Sequence, residues 1–389
     1  MSYILRGNIG KINIEFLPSR DSNICLLLLD GLPSTNPSKR DNMLKLAELW
    51  YSSIAPRYKW TRESKGTFLN KSPSDDILEV IRYIKKNPLL DTYNKKYYDF
   101  SNNLIVVIWV SFWGIVALDT VKYLGDLDYV ILLSPLCDFK EMDHRLEPIA
   151  EFVKEGFWRA YNFKMENRIK MTKGELFSPD ENSVSKFSDN ITVIHDRSDT
   201  TIVSEDVISF CKKVKIKDIH EVDGIGHLSY NKRNDAVYSL ISKTISGKYT
   251  TSVWYIPVML EWKKVKYLCI QTSDGMWWFP KWLHEWAESW LETANRELYE
   301  ETWIKEITLM KDLPPLGMTY KATFNGKTYF KSNILFVGKL EKTMIDIDNK
   351  EVKKFQFLEF KEVIKNIQYK KIKEYLKYAE KKWLATLPS

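Results

Sequence analysis

Short apolar runs recur along the first 250 residues, separated by segments in which apolar positions have a helical spacing. Runs of about four to eight residues rich in Val, Ile and Leu are typical of buried strands. Apolar residues three and four positions apart predict amphipathic helices over 39–54 and 74–86. This alternation predicts an α/β fold. The predicted strands are Ile24–Leu29, Leu104–Ile108, Tyr129–Leu133, Ile191–His195 and Ile216–Val222, after a hairpin over Ile9–Phe16.

Two segments of this first half lack a regular pattern. Residues 55–69 combine Pro, Gly, charged and aromatic residues, which predicts a loop. Residues 138–188 are mixed in character, and we interpret them as a lid over a pocket.

The pattern changes near residue 250, which predicts a domain boundary. Ser246–Ser252 is rich in Ser and Thr and separates a helical pattern from a new strand pattern. We therefore predict two domains, residues 1–246 and 252–389. In the second domain we expect strands over Val253–Met259, Val265–Thr272 and Thr328–Leu340, and helices within Phe360–Lys382.

Composition narrows the class of protein. The 389 residues are 44% apolar, which is ample for two cores. The longest apolar run, Leu104–Leu118, is too short to span a membrane, and the N-terminus lacks the apolar core of a signal peptide, so we expect a cytoplasmic protein without a membrane partner. The four cysteines lack metal-ligand spacing and predict reduced thiols. A net charge of +7, spread through lysine-rich segments, favours a solvated surface over a dedicated nucleic-acid groove.

A cluster of carboxylates stands out in the second domain. Glu297, Glu300 and Glu301 are three and four residues apart, so a helix places them on one face. A hard divalent cation would stabilise three carboxylates held together, and a solvated acidic face is the alternative. Ser289 and Glu292 have the spacing of a capping box, which predicts that the helix begins there.

This array resembles the Nudix box, in which Gly is followed by five residues, Glu, seven residues, and Arg-Glu-aliphatic-any-Glu-Glu-any-Gly-aliphatic. Every charged and aliphatic position of the box fits this sequence, but both glycine positions are tryptophan. Counting from Trp282 reaches Glu288, Arg296, Glu297, Leu298, Glu300, Glu301, Trp303 and Ile304. The preceding Trp277-Trp278-Phe279-Pro280-Lys281 resembles the family's Trp-Gly-Phe-Pro-Lys.

The Nudix resemblance implies an α/β/α sandwich that hydrolyses a pyrophosphate bond in a nucleoside diphosphate joined to another group. By that resemblance Mg²⁺ or Mn²⁺ is held by Glu297, Glu300 and Glu301, of which the first and last are catalytic, and Arg296 orients the carboxylates. Glu288 is an additional ligand or base. Lys281 lies where some diadenosine-polyphosphate hydrolases of the family carry lysine, which suggests a dinucleoside polyphosphate as one nucleotide substrate.

A second candidate site lies in the first domain. The strand-like run Leu104–Ile108 leads to Ser111 and then to a small-residue helix start, which is the layout of a nucleophile elbow, Gly-x-Ser-x-Gly. Here both glycine positions of that motif are again tryptophan, Trp109 and Trp113. A buried serine at a strand end is the alternative interpretation.

Asp199 and His227 follow Ser111, each in a loop after a late strand. This Ser, Asp, His order resembles that of the α/β-hydrolases, in the serine peptidase and esterase branch. The resemblance covers residues 1–246 and implies a mostly parallel sheet with flanking helices. It also implies Ser111 as nucleophile, His227 as general base and Asp199 as orienting acid, with the amides of Leu32 and Phe112 as the oxyanion hole. Asp196 is a candidate substitute for Asp199.

Tryptophan is frequent and glycine scarce, with 14 Trp and 15 Gly in the chain. Eight tryptophans occupy sites where a turn or a motif favours glycine: 60, 109, 113, 278, 282, 286, 290 and 303. We hypothesise that the gene reads UGA as glycine and that this sequence was translated with UGA as tryptophan. If the tryptophans are genuine, the alternative is a catalytically impaired protein that binds nucleotides or other partners.

Overall fold

The structure is a computed structural model that describes residues 3–19, 22–29, 36–59, 64–65, 67, 69–123, 128–138, 164–227, 235–261, 264–272, 275–283, 289–313, 315–324, 327–341, 352–367 and 369–385. The chain divides into two compact units, Met1–Ser246 and Gly247–Ser389. Within the described residues, no helix is long and apolar enough to cross a membrane.

The first unit alternates strands and helices, as the apolar pattern predicts. Its strands are β1 Leu5–Ile9, β2 Ile12–Leu17, β3 Ile24–Leu29, β4 Ser52–Arg57, β5 Leu89–Leu90, β6 Tyr97–Tyr98, β7 Leu104–Val110, β8 Tyr129–Leu133, β9 Ile191–Asp196 and β10 Asp218–Val222. Its helices are α1 Asn36–Glu48, α2 Pro73–Ile84, α3 Trp113–Thr120, α4 Met165–Thr172, α5 Glu181–Phe187, α6 Ser204–Lys213 and α7 Asp235–Lys248. The central part of the expected lid, 139–163, lies outside the described residues.

Eight strands of this unit form one sheet in the order β1-β2-β4-β3-β7-β8-β9-β10. Only β2 runs against the other strands, because its pairs with β1 and β4 are antiparallel and the remaining pairs are parallel. The middle strands β3, β7 and β8 are buried along their whole length, which explains their unbroken apolar sequences. The predicted α/β fold with a mostly parallel sheet is confirmed.

The helix predicted over 39–54 is wrong at its C-terminal end. Helix α1 ends at Glu48, and Ser52–Arg57 forms β4, so the predicted loop over 55–69 also begins too early. The chain leaves the helix through Trp50, which has φ 65° and donates its amide to the Ala47 carbonyl at 3.0 Å. Glycine is the usual signal for such a left-handed helix end, and it is missing here. The polar residues of β4 are buried by pairing with β2 and β3, so no apolar run indicated a strand.

The second unit is built on a mixed sheet. Its strands are β11 Tyr249–Glu261, β12 Lys264–Thr272, β13 Trp277–Trp278, β14 Lys281–Leu283, β15 Thr308–Leu309, β16 Leu316–Phe324, β17 Lys327–Lys339 and β18 Val352–Glu359. Its helices are α8 Trp290–Thr302, α9 Phe360–Asn366 and α10 Lys370–Ala385. Strands β11 and β17 pair in parallel over ten residues, and the other pairs are antiparallel.

Apolar residues are buried in two separate clusters of this second unit, which gives it three layers. One cluster joins Ala294 and Leu298 of α8 to β11 residues such as Tyr255. The other joins Val363 of α9 and Leu376 of α10 to β11 and β12. Because side chains alternate along a strand, β11 contributes to both clusters, and the predicted α/β/α arrangement is confirmed.

The segment expected to link the two domains is regular structure. Helix α7 continues to Lys248 and β11 begins at Tyr249, four residues before the predicted strand. The Tyr249 ring stacks on Phe330 of β17 at a centroid distance of 4.8 Å, where the parallel pairing of β11 and β17 starts. Thr and Tyr are good strand formers, so the polar sequence of this segment concealed a strand.

All four cysteines are free and buried. Cys25 lies in β3, Cys137 follows β8, Cys211 lies in α6 and Cys269 in β12. Burial raises the pKa of Cys211 and of Cys269 to about 12, which keeps both as neutral thiols at physiological pH.

Candidate functional site

Ser111 occupies a sharp turn between β7 and α3. Its backbone is left-handed, with φ 59°, and the side chain is 7% exposed. The Ser111 amide donates to the Leu133 carbonyl at 3.0 Å, and its carbonyl accepts from the amides of Gly114 (2.8 Å) and Leu136 (3.0 Å). A strained non-glycine residue held by surrounding hydrogen bonds is a common feature of active sites. The strand-turn-helix geometry is that of a nucleophile elbow.

His227 and Asp199 converge on this serine from two different loops. The Ser111 hydroxyl lies 2.9 Å from His227 Nε2, and His227 Nδ1 lies 2.7 Å from Asp199 Oδ2. Asp199 Oδ1 accepts from the amides of Thr201 (2.8 Å) and Ile202 (3.1 Å). The structure thus brings together the three residues that the sequence identified, in hydrogen-bonding geometry.

The Asp199 carboxylate is buried but ionised. Burial alone would raise its pKa, yet the hydrogen bond and charge of His227, with the backbone amides, hold the pKa of Asp199 below its usual range. A carboxylate in this state fixes the orientation of the imidazole and can stabilise its protonated form.

Asp196 does not substitute for Asp199, because its carboxylate contacts the backbone of the loop that precedes His227. The amides of Ile225 and Gly226 donate to Asp196 Oδ2, the latter at 2.6 Å. Ser198 donates its amide (2.7 Å) and hydroxyl (2.6 Å) to Oδ1. Burial opposes ionisation, but the four hydrogen bonds lower the pKa of Asp196 to about 2.

The expected oxyanion hole is only partly within the described residues. Phe112 follows Ser111 with a helical backbone, φ −46° and ψ −36°, directly before α3. A backbone amide at a helix start is well placed to donate to an anion. Leu32 lies outside the described residues.

Helix α8 carries the carboxylate cluster of the second unit. The capping box is present, because Ser289 Oγ accepts from the Glu292 amide and the Glu292 carboxylate accepts from the Ser289 amide. Glu297 is 2% exposed and Glu301 is 8% exposed. Burying two carboxylates one turn apart is unfavourable without a compensating positive charge.

Arg296 supplies one such charge. Its guanidinium contacts the Glu297 carboxylate and lies 3.1 Å from Glu300 Oε2. Glu300 is exposed on the same helix, so the three predicted ligands differ in burial. Among the described residues, no three His, Cys, Asp or Glu side chains converge closely enough to hold a metal ion. Glu288 and the Lys281 side chain lie outside the described residues.

The donor chemistry of α8 nevertheless suits a hard cation. Two buried carboxylates, Glu297 and Glu301, supply the oxygen ligands that Mg²⁺ and Mn²⁺ prefer.

The suspect tryptophans adopt different backbone conformations. Trp303 ends α8 in the left-handed region, with φ 58° and ψ 14°, where glycine is usual. Trp109 and Trp282 lie in strands and Trp113 begins a helix, so their backbones are ordinary. Trp109 and Trp113 are buried, and Trp113 stacks on Tyr58 at 4.2 Å. Trp278 and Trp290 also have regular structure, whereas Trp60 and Trp286 lie outside the described residues.

Sequence reasoning missed the contacts of Asp196 with the His227 loop. The sequence feature that could have indicated these contacts is the pair of glycines in Gly224-Ile225-Gly226. Both glycines have positive φ, 75° and 73°. Such backbone turns point successive amides at one acceptor.

Known proteins resemble the two units separately. The family model described as NUDIX domain matches residues 258–378. An Ap4A hydrolase from C. elegans is 22% identical, covering 36% of this chain and 99% of its own, with a TM-score of 0.31. An esterase from Pyrococcus furiosus is 14% identical, covering 64% of this chain and 91% of its own, with a TM-score of 0.45.

The NUDIX domain of NrtR from Shewanella oneidensis, complexed with ADP ribose, is 14% identical over 34% of this chain and 87% of its own, with a TM-score of 0.29. No curated protein matches this chain by sequence. The assignment therefore rests on the family model and on the chain's own topology and elbow geometry. This chain carries a C-terminal NUDIX domain, preceded by a unit with a mostly parallel α/β sheet and a sharp strand-turn-helix junction at Ser111.

Proposed function

We propose that the chain is a two-site hydrolase. In this proposal the first unit, residues 1–246, is a serine hydrolase of esters or peptides, and residues 252–389 form a divalent-metal-dependent pyrophosphohydrolase. The observation that carries the first activity is the hydrogen-bonded chain from Ser111 through His227 to Asp199. The match to the NUDIX domain, with the buried carboxylates of α8, supports the second.

The serine site can perform acyl transfer with its own residues. Ser111 Oγ attacks the carbonyl carbon while His227 Nε2 takes the hydroxyl proton and passes it to the leaving group. Asp199 keeps His227 oriented, and the Phe112 amide, with that of Leu32, stabilises the negative oxygen of the intermediate. Water then hydrolyses the acyl-serine with His227 again as the base.

The NUDIX site would act on a nucleotide-type substrate, such as a dinucleoside polyphosphate. A bound Mg²⁺ or Mn²⁺ would supply charge neutralisation at the phosphate oxygens and Lewis-acid activation of water. Glu297, Glu300 and Glu301 would hold the ion, and Arg296 would keep the first two carboxylates in place. Glu288 and Lys281 are additional candidates. The C. elegans relative is an Ap4A hydrolase, which makes diadenosine tetraphosphate the first substrate to test.

The free, buried cysteines support a reducing compartment, and we retain the cytoplasm as the proposed location.

One experiment tests both sites on the same protein. A fluorophosphonate probe should label the wild type at Ser111, and Ser111→Ala should lose labelling, whereas Ser183→Ala, at a half-buried serine of α5, should retain it. Diadenosine tetraphosphate cleavage with Mg²⁺ should fall on the order of 100-fold in Glu301→Gln but not in the exposed Glu306→Gln.

The two sites should also respond separately to chelation. EDTA should abolish pyrophosphate cleavage and leave probe labelling unchanged, because the serine mechanism uses no metal. Labelling that survives Ser111→Ala would reject the first site, and equal cleavage by wild type and Glu301→Gln would reject the second.

The second candidate function is a binding protein without catalysis. It is favoured if the tryptophans are genuine, because Trp109 and Trp113 are buried on both sides of Ser111 where the elbow motif has glycine. Sequenced UGG codons at 109, 113, 282 and 303, with no turnover at either site, would favour it. UGA at these codons would favour the enzyme.

A further inference from the structure

The loop that carries His227 is shaped by two left-handed glycines. Gly224 has φ 75° and Gly226 has φ 73°, which turns the amides of Ile225 and Gly226 in one direction. Both amides donate to the same oxygen, Oδ2 of Asp196. Successive amides arranged in this way form a concave anion site, and here the anion is a side chain of the protein itself.

The other oxygen of Asp196 holds the turn that leads to Asp199. Oδ1 accepts from the amide and hydroxyl of Ser198, and the Asp199 amide donates to the Asp196 carbonyl at 3.1 Å. The carboxylate is 2% exposed, so these hydrogen bonds face little competition from water. A single buried carboxylate therefore joins the loop of the acid to the loop of the base.

We infer that Asp196 is a positioning residue for the Ser111, His227 and Asp199 site, fixing the His227 loop relative to the Asp199 turn. The inference rests on the serine hydrolase function proposed above. Asp196 contacts neither Ser111 nor the His227 ring among its hydrogen bonds, so it acts through the backbone. It deepens that function by adding a fourth residue on which the reaction depends.

Charge and geometry both explain why a carboxylate is needed at this position. All four neighbouring groups are donors, and an ionised carboxylate is the side chain that only accepts. Asparagine in its place would turn an NH₂ group towards either the Ser198 donors or the Ile225 and Gly226 amides, and one side of the junction would open. Charge-assisted hydrogen bonds are also stronger than neutral ones.

The test measures Asp196→Asn by the inactivation kinetics of Ser111 with a fluorophosphonate. We expect the maximal inactivation rate to fall about 10- to 100-fold, because a displaced base loses its alignment, while the half-saturating probe concentration stays unchanged. Asp223→Asn is the matched control, since Asp223 lies in the same loop but is exposed, and among the described residues it pairs with Arg197 alone, at 2.7 Å. Its rate should equal that of the wild type.

A double-mutant cycle separates positioning from a general loss of stability. If Asp196 acts through His227, Asp196→Asn should change the residual rate of His227→Ala less than threefold. Thermal melts of all four proteins show whether each is folded at the assay temperature, and the assays are run below the onset of the lowest unfolding transition.

The outcomes distinguish the inference from the function on which it rests. An unreactive wild type would overturn the serine hydrolase itself. A reactive wild type whose rate is unaffected by Asp196→Asn would overturn only the positioning role. The positioning role would also be overturned if Asp196→Asn lowered the inactivation rate by the same factor in the wild type and in His227→Ala.

Discussion

Two of the non-glycine residues with left-handed backbone, Ser111 and Trp303, have opposite surroundings. Ser111 and Trp303 have nearly the same φ, 59° and 58°, and neither is glycine. Ser111 is buried and held by three backbone hydrogen bonds, so the fold imposes its conformation at the centre of the proposed site. Trp303 is 56% exposed at the end of α8, where its amide donates to the Tyr299 carbonyl at 2.7 Å and its ring contacts the Tyr299 ring at a centroid distance of 5.6 Å. The strain at Trp303 is therefore removable.

We expect Trp303→Gly to stabilise the protein made from this sequence by about 1 kcal/mol. Glycine adopts the left-handed region without the steric cost that a Cβ brings, and the exposed indole gives up little burial. The measurement is the free energy of unfolding in urea. Trp303→Ala is the control, because alanine keeps the Cβ and should give no gain, and an equal gain in both variants would contradict the strain argument.

At the scale of elements, the sequence predicts strands wherever a buried strand is an unbroken apolar run. β3 and β8 have the predicted bounds because unbroken apolar runs leave no other interpretation. β4 was missed because three of its six residues are polar, Ser52, Ser53 and Arg57, and pairing with β2 and β3 buries them, which no local pattern reveals. The end of α1 was missed because Trp50 occupies a glycine-type position.

In the candidate sites, the sequence likewise predicts which loops and helix carry the residues, but not the side-chain contacts that those residues make. Parallel strands end at one edge of a sheet, so the loops after β9 and β10 were expected to bring Asp199 and His227 to Ser111. Which carboxylate of the segment after β9 reaches the histidine depends on turn hydrogen bonds, which a sequence does not display. Helical periodicity placed the carboxylates on α8, but the direction of Glu300 towards Arg296 depends on side-chain rotamers.

The junction of β7 and α3 depends on the glycine that does remain there. A Cβ at Gly114 would lie 2.5 Å from Pro135 Cβ and 2.9 Å from its Cα. We expect Gly114→Ala to lower the free energy of unfolding by about 1–3 kcal/mol and to slow probe labelling of Ser111, because α3 must move away.

Gly247→Ala is the control for this prediction. Gly247 lies in α7 with nothing within 4 Å of an added Cβ, so alanine should raise stability by up to about 1 kcal/mol through helix propensity. Unchanged stability and labelling in Gly114→Ala would show that the junction tolerates a wider separation.

At the scale of the whole molecule, the tryptophan hypothesis is decided by mass. Each tryptophan that is glycine in the native protein lowers the intact mass by about 129 Da, so recoding at all eight proposed positions gives a mass about 1 kDa below that of the printed sequence. Trp50, with its left-handed backbone, is a ninth position to inspect. Intact-mass spectrometry of protein from its native source makes the measurement, and a mass matching 14 tryptophans would reject the hypothesis.

The alkylation rates of the buried cysteines measure how often the surrounding structure opens. Cys25 and Cys211 lie in the first unit and Cys269 in the second, and none is exposed in the native fold. An alkylating reagent can modify a buried thiol only while the surrounding structure is transiently open. The fraction of each cysteine-containing peptide that is alkylated after a set time thus reports how often each unit opens. A ligand for one site should lower the alkylation rate of the cysteines in the unit that binds it.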